Sequence, residues 1–289
     1  MTKKELRQRL EALGARVVWG LFAALPLDAA SGLGGWLGRT VGPLLGGVNR
    51  VARRNLKAAF PEKSDAEIKT IIADMWDNIG RVAGEFPHLK RIAAERVELI
   101  GGENIDLLRD DGKAGIFISG HMGNWEVNGA VAAARGLPLN LVYRAANNPY
   151  VEDLYRKGRA DACHALIQKG PEGARQALIT LKKGGHLGML VDQKMNDGVA
   201  IPFFGRDAMT APAQAVFATK FKCPLVPARV ERIKGAHFRV TVLPPMEFPH
   251  TNDNHEDNRL LLVRINALLE EWIRERPAQW LWVHRRWPE

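Results

Sequence analysis

Apolar runs alternate with polar breaks along this chain in a pattern that predicts an α/β fold. Short apolar runs bounded by glycine or turn residues predict buried strands at "AGIFIS" (114–119), "LNLVYR" (139–144), "HLGMLVDQ" (186–193), "CPLVPARVER" (223–232) and "HFRVTVLPP" (237–245). Helices are predicted over 64–85, 124–136, 150–163, 171–183, 211–222 and 256–276. The first of them opens with a capping box, Ser64 to Glu67. This alternation implies a mostly parallel central sheet flanked by helices.

The N-terminal segment has a different pattern. Residues 15–47 are mostly apolar and rich in glycine, but the longest uncharged run, Val17–Leu27, has only eleven residues, whereas a helix that spans a bilayer needs about 20. We interpret the segment as a membrane-interfacial anchor or hairpin, with Trp19 and Trp36 at the level of the lipid headgroups. The alternative is a pair of ordinary core helices.

Charge is concentrated in the same part of the chain. The net charge is +9, and residues 1–60 contain ten basic and three acidic residues. Such an excess indicates an acidic partner: nucleic acid, anionic lipid or an acidic protein. A predicted helix here has one basic face, made by Arg50, Arg53, Arg54 and Lys57. The chain is therefore divided into N-terminal membrane-associating helices over 1–60 and an α/β domain over 61–289.

Composition excludes several classes of protein. With 46 % hydrophobic and 25 % charged residues, the 289-residue chain can bury a large core. Cys163 and Cys223 are too few for a disulfide framework or a zinc site, and there is no His-Glu-x-x-His motif. The chain also lacks a phosphate-binding Walker loop, a dinucleotide fingerprint and a helix-turn-helix. We therefore expect no metal, no bound cofactor and no nucleic-acid partner.

The stretch "SGHMGNWEVNG" (119–129) holds the candidate chemistry. His121 is predicted at the end of a strand, and Asn124 is predicted to cap a helix whose first turn contains Glu126. Glycine bends between them are expected to fold the Glu126 carboxylate back onto the imidazole. A carboxylate on one ring nitrogen leaves the other as a general base, suited to activating a substrate hydroxyl. The alternative is a purely structural glycine turn.

Other polar residues also follow predicted strands. Arg144 comes directly after one strand, and Asp192 and Gln193 end another. Ligand sites of open α/β sheets lie at the carboxyl ends of the strands. We therefore expect these residues to lie near His121, where Asp192 and Gln193 either orient Arg144, bind hydroxyls of the substrate or cap a strand.

Six motifs, in the same order along the chain, resemble those of a known family. It resembles the bacterial lipid A biosynthesis acyltransferases, the late lauroyl/myristoyl transferase family, through "ARRNLKAAFP" (52–61), "SGHMGNWE" (119–126), "VYRAANNP" (142–149), "GMLVDQK" (188–194), "PFFG" (202–205) and "WLWVHRRWP" (280–288). The resemblance implies a glycerolipid-acyltransferase-like fold. It also implies a membrane-bound enzyme that moves a fatty acyl chain from acyl carrier protein to a hydroxyl of a lipid A precursor. The acyl chain would be carried on the phosphopantetheine of the carrier, with no further cofactor, at the cytoplasmic face of the inner membrane.

The resemblance also implies roles for particular residues. His121 and Glu126 match the catalytic pair of the family, and Glu126 rather than aspartate favours the lipid A branch. Arg144 and Arg159 are candidates for contacts with the acceptor phosphates, and Asn124 is a further candidate for substrate binding.

Alternatives remain at this point. One alternative is an acyltransferase whose acceptor is a glycerolipid or an aminolipid. Another is a non-catalytic protein that binds membranes or nucleic acid. Met189, Phe203 and Phe204 are candidates for the wall of an acyl-chain groove, with ordinary core packing as the favoured alternative. The C-terminal tryptophans and arginines form either an interfacial belt or the packing of the last helix; they are Trp280, Trp282, Arg285, Arg286 and Trp287.

Overall fold

The structure, a computed structural model, describes residues 2–287, so Pro288 at the end of the last motif lies outside the described residues. The strands are β1 (Val97–Ile100), β2 (Gly115–Ser119), β3 (Asn140–Tyr143), β4 (Ala165–Gln168), β5 (His186–Leu190), β6 (Lys194–Phe203), β7 (Arg206–Thr210), β8 (Leu225–Lys234) and β9 (His237–Val242). The helices are α1 (Lys3–Ala24), α2 (Leu27–Val41), α3 (Gly46–Ala59), α4 (Asp65–Glu85), α5 (Leu89–Glu95), α6 (Glu103–Asp110), α7 (Val127–Ala134), α8 (Pro149–Gly158), α9 (Pro171–Lys182), α10 (Ala213–Phe221) and α11 (Asn254–Glu275).

Seven strands form the central sheet in the order β1-β9-β8-β2-β5-β3-β4. All neighbouring pairs are parallel except β8 and β9, which form an antiparallel hairpin. Side chains of β2 enter two hydrophobic clusters, because Ile116 and Ile118 belong to one and Phe117 to the other. Since side chains alternate along a strand, both faces of the sheet are covered. The predicted α/β fold with a mostly parallel sheet flanked by helices is confirmed.

The predicted helices are present, with shifted ends. The capping box at Ser64 is complete and starts α4 as predicted. In contrast, α7 begins at Val127, three residues after the predicted cap, and α8 ends at Gly158, short of the predicted 163. A side chain at Gly158 would meet the ring of Trp19 at 2.4 Å, so the chain passes very close to α1 there.

Several strands are not among those predicted from the sequence. One is the edge strand β4, which follows α8 in the chain. Others are β6 and β7, which form a hairpin and make up a second sheet of two strands, apart from the central sheet. β6 packs against α11. Its sequence, "KMNDGVAIPF", begins with polar residues and contains glycine and proline, so it lacks the apolar run of a central strand.

The N-terminal helices pack on the rest of the chain through small residues. A Cβ at Gly34 of α2 would lie 2.3 Å from the carbonyl oxygen of Gly80 in α4, and a Cβ at Gly80 would lie 2.0 Å from the carbonyl oxygen of Gly34. The two backbones are therefore in direct contact, and α1 packs against α8. Within residues 2–287, no helix combines the length and the apolar character needed to cross a bilayer. The division at residue 60 stays a prediction.

Candidate active site

The centre of the site is a histidine–aspartate pair. Ser119 and Leu190 are paired at the ends of the adjacent parallel strands β2 and β5. His121 and Asp192 each follow two residues later, so the register itself brings the two side chains together. The Nδ1 atom of His121 lies 2.7 Å from Oδ1 of Asp192, and the backbone N–H of His121 donates to Oδ2 at 2.9 Å.

The carboxylate of Asp192 is fully enclosed. Its Oδ2 also accepts a hydrogen bond of 2.7 Å from the indole of Trp280, a residue near the other end of the chain. Burial by itself raises the pKa of Asp192, but the positive charge and hydrogen bonds of His121, together with the Trp280 bond, outweigh burial and hold this pKa well below its ordinary value. An ionised Asp192 keeps the proton of the imidazole on Nδ1 and leaves Nε2 as the free base. The amide nitrogen of Gln193 lies 3.4 Å from that Nε2.

The predicted contact between Glu126 and His121 is wrong. The Glu126 carboxylate is held by the guanidinium of Arg159, through bonds of 2.8 Å from Nε and 2.6 Å from the terminal nitrogen. It also accepts a bond of 3.1 Å from the indole of Trp125. The ring next to the imidazole is that of Trp125, with ring centroids 5.2 Å apart.

The backbone explains this arrangement. Gly123 has a left-handed φ of 55°, and a Cβ there would lie 2.6 Å from the carbonyl oxygen of Val230. The sharp turn places Trp125, not Glu126, beside the histidine, and α7 starts only after Glu126. Spacing along the sequence indicates that the chain bends here, but not which side chain the bend directs to the ring.

Asn124 is completely buried and does not face open space. Its amide nitrogen donates to Glu85 at 2.9 Å, and its oxygen accepts from the backbone N–H of Glu126 at 3.2 Å. Glu85 is itself paired with Arg232. These bonds hold the turn, and a contact of Asn124 with substrate stays a prediction.

The two arginine candidates differ in their surroundings. Arg159 is paired with Glu126 and lies over the rings of Phe86, Tyr143 and Tyr155 at 5.5–5.8 Å, so its guanidinium is already engaged. Arg144 is exposed at the end of β3.

Sequence analysis missed Lys169, which lies beside Arg144. β3 and β4 pair Tyr143 with Gln168, so Arg144 and Lys169 occupy matching positions just beyond the strand ends. Burial lowers the pKa of Lys169 and Arg144 lowers it further, while Asp192 opposes both. A strand prediction at 165–168 is the signal that would have identified this neighbour.

An apolar pocket, here called the inner pocket, extends from the site between α7 and the sheet. Its wall includes Ser119, Trp125, Glu126 and Met189. Met189 therefore lines an apolar pocket, and its place in an acyl-chain groove stays a prediction. Phe203 and Phe204 do not line it, and the alternative that they are core residues is confirmed.

The C-terminal aromatic residues belong to the core. Trp280, Trp282 and Trp287 are at most 2 % exposed, so an interfacial belt formed by them is wrong and packing is the correct alternative. Arg286 is buried as well, where it donates to the hydroxyl of Thr210 at 2.8 Å and to the carbonyl of Met209 at 2.9 Å. The same segment supplies the Trp280 bond to Asp192, which gives it a direct connection to the site.

A histidine base oriented by a buried carboxylate, beside an apolar pocket, is suited to acid–base chemistry on a hydrophobic substrate. Within residues 2–287, no group of three or more His, Cys, Asp or Glu side chains is arranged to hold a metal ion.

Comparison with known proteins assigns the chain to a family whose chemistry agrees with this site. Residues 3–289 match the family model described as bacterial lipid A biosynthesis acyltransferase.

Individual relatives agree with the family match. The chain is 26 % identical to the lipid A biosynthesis palmitoleoyltransferase of Escherichia coli K12, over 97 % of this chain and 91 % of the relative. It is 27 % identical to the lauroyltransferase of the same strain, over 97 % and 92 % of the two chains. Its identity to the myristoyltransferase of that strain is 25 %, over 86 % and 77 %. The chain belongs to the bacterial lipid A biosynthesis acyltransferase family.

Proposed function

We propose that this protein transfers a fatty acyl chain from acyl carrier protein to a hydroxyl of a lipid A precursor, with His121 as the general base. The observation that carries the proposal is the bond between His121 Nδ1 and the buried Asp192 carboxylate, beside the inner pocket. In this mechanism Nε2 removes the proton of the acceptor hydroxyl as its oxygen attacks the thioester carbonyl. The resulting imidazolium, stabilised by Asp192, returns the proton to the leaving thiolate, so an ester and a free thiol are formed.

The inner pocket is proposed to hold the acyl chain of the donor. It is lined mainly by aliphatic side chains from α7 and from strands on both sides of β2. Each buried methylene contributes about 0.8 kcal/mol, so the length of this pocket sets a preference for chain length. The pair of Glu126 and Arg159 lies at its edge, and we assign Glu126 as a positioning residue rather than the partner of the base.

The positive net charge of the chain supports the binding of two anionic substrates. Acyl carrier protein and a phosphorylated glycolipid both carry negative charge, and the net charge of this chain is +9. Arg144 and Lys169, side by side at the carboxyl edge of the sheet, are proposed to contact phosphate. Lys169 adds a cation to the expected Arg144, whereas the engagement of Arg159 with Glu126 argues against Arg159 in that role.

The surface of the N-terminal helices supports docking to the cytoplasmic face of the inner membrane. Large apolar side chains of α1, α2 and the turn after α2 are exposed, among them Leu10, Leu13, Val17, Leu21, Trp36 and Leu44. Basic residues of α1, such as Lys3, Lys4 and Arg16, are exposed among them. Apolar side chains flanked by cations are typical of helices that lie in the interface of an anionic bilayer.

The test is an acyl-transfer assay with purified protein in detergent. Radiolabelled acyl carrier proteins are offered with a lipid A precursor, a glycerolipid and an aminolipid, to the wild type and to His121→Ala. The expected result is transfer to the lipid A precursor, lost in the variant. Transfer to a glycerolipid or aminolipid instead would replace the acceptor, and no transfer to any acceptor would overturn the proposal.

A further inference from the structure

The structure has a second apolar pocket beside the site, here called the outer pocket. It lies between α1, α4 and α8, and its wall includes Ala15, Val18, Ala83 and Leu154. Trp125 and Glu126 line both the outer pocket and the inner pocket. The two pockets therefore meet at the turn that carries His121, although one acyl donor needs only one of them.

An ion pair lies where the two pockets meet, since Glu126 lines both pockets and its partner Arg159 lines the inner one. The carboxylate of Glu126 and the guanidinium of Arg159 are mostly buried, with 8 % and 14 % of their side chains exposed. The Arg159 guanidinium lies over Tyr143, which lines the inner pocket, and over Tyr155, which lines the outer pocket. The pair places a polar contact at the junction of two apolar spaces, and this contact is here called the partition.

The outer pocket is continuous with the exposed apolar surface of α1. Val18 lines the pocket and is 50 % exposed, next to Val17 and near Leu21 on the same helix. A molecule entering from this surface meets apolar side chains until it reaches the partition. That lining fits a hydrocarbon chain and does not fit a sugar or a phosphate.

We propose that the outer pocket binds a hydrocarbon chain of the acceptor lipid, while the inner pocket holds the acyl chain of the donor. The inference rests on the proposed function and names an acceptor subsite for it. The acceptor is then selected by its own chain as well as by its polar head, and each methylene of that chain changes affinity by up to about fourfold. The partition keeps the two chains apart beside His121.

Filling the outer pocket tests the proposal. Ala83 is exposed on α4 and lines the pocket, so Ala83→Trp places a bulky ring in it without replacing a buried residue. Ala66→Trp, on an exposed position of the same helix outside both pockets, is the matched control. Ala15→Trp fills the pocket from the opposite wall, and Met189→Trp fills the inner pocket instead.

The expected outcome is a separation of effects. Ala83→Trp and Ala15→Trp raise the KM of a long-chain acceptor at least tenfold, leave a short-chain acceptor analogue unaffected and leave the preference among donor chain lengths unchanged. Met189→Trp moves the donor preference to shorter chains and leaves the acceptor KM near the wild-type value. A changed donor preference in Ala83→Trp, or an unchanged acceptor KM in both outer-pocket variants, overturns the proposal.

Photolabelling separates the inference from the proposed reaction. A bis-phosphorylated glycolipid with a diazirine in one acyl chain is irradiated with the wild-type protein, and labelled peptides are mapped. Labels on α1, α4 or α8 around the outer pocket are expected, and Ala83→Trp reduces them. If no acyl transfer occurs but these labels appear, the proposed reaction is wrong, whereas the outer pocket as a binding site for a hydrocarbon chain is supported. Labels confined to the inner pocket, or no labels at all, contradict binding of the acceptor chain in the outer pocket, even if the enzyme is active.

Discussion

At the scale of single residues, the partners of each polar side chain decide its role. His121, Asp192 and Gln193 were predicted to lie together because each comes at or just after a strand end, and the structure places them within hydrogen-bond reach. The carboxylate on the imidazole was predicted from the nearest acid in the sequence, Glu126, and this was wrong. Side-chain direction after a left-handed glycine depends on contacts with β8, which sequence spacing does not contain. The Trp280 bond, from 88 residues away, was equally out of reach.

A second buried histidine predicts how stability depends on pH. His284 accepts a hydrogen bond of 2.8 Å from the backbone N–H of Lys194. Burial lowers the pKa of His284 from 6.5 to about 4. Asp192 opposes this shift, whereas the nearby charges add to it; they belong to His121, Arg286 and Lys169. Below pH 6.5 the unfolded state therefore binds a proton that the folded state does not bind until about pH 4. The free energy of unfolding should fall by about 3 kcal/mol over that interval.

The measurement is urea denaturation of His284→Gln and wild type at several pH values between 7 and 4. Glutamine keeps an acceptor but does not titrate, so the variant should lose less stability on acidification. His255→Gln, at an exposed position, is the control and should follow the wild type. Equal pH dependence in the wild type and His284→Gln would show that His284 does not carry this effect.

At the scale of elements, the apolar strands and the amphipathic helices follow from the sequence. β2, β3, β5, β8 and β9 lie where apolar runs predict them, because a buried central strand needs such a run. β4 and the hairpin β6–β7 were missed, since an edge strand and a two-stranded hairpin are stabilised by tertiary contacts rather than by a continuous apolar segment. The close contact of α2 and α4 was also missed. It requires glycines on two helices to face each other, which the sequence of either helix does not specify.

The contact of α2 and α4 predicts a strong effect of side-chain size. Gly80→Leu would force a side chain against the backbone of Gly34, and we expect a loss of about 1–3 kcal/mol or more in the free energy of unfolding. Gly14→Leu, on α1, is the matched control, because a Cβ there meets nothing within 4 Å. Denaturation of both variants should show a large loss only for Gly80→Leu. Similar stabilities would mean that the two helices are not in this contact in solution.

At the scale of the whole molecule, charge and exposed apolar side chains are located on the same N-terminal helices. Sequence analysis predicted the basic, apolar segment but left its position relative to the sheet open. In the structure α1 packs against α8 with one face and exposes leucine and valine on another. The same helix contributes Val18 to the outer pocket, so the surface that is proposed to contact the membrane and the proposed acceptor subsite are adjacent.

This arrangement predicts which surface contacts lipid. Leu13 and Val17, 57 % and 64 % exposed on α1, are replaced in Leu13→Asp/Val17→Asp. Binding to vesicles of mixed zwitterionic and anionic lipid should fall at least tenfold in a sedimentation assay, because two apolar contacts are lost and two negative charges face an anionic surface. Leu107→Asp, at a 51 % exposed position on α6, is the control and should bind as the wild type does. Unchanged binding of the double variant would contradict docking through α1.

We assign Asp192, rather than Glu126, to the orientation of the base, and the pH dependence of kcat/KM in Asp192→Asn and Glu126→Gln is the direct test. Asp192→Asn removes the negative charge from the imidazole, so kcat/KM should fall about 10³-fold or more and the acid limb of its pH profile should move to lower pH. Glu126→Gln releases Arg159 and disturbs the partition. We expect a smaller loss, on the order of 10²-fold, with the acid limb unmoved. An acid limb that moves in Glu126→Gln and stays in place in Asp192→Asn would contradict this role of Asp192.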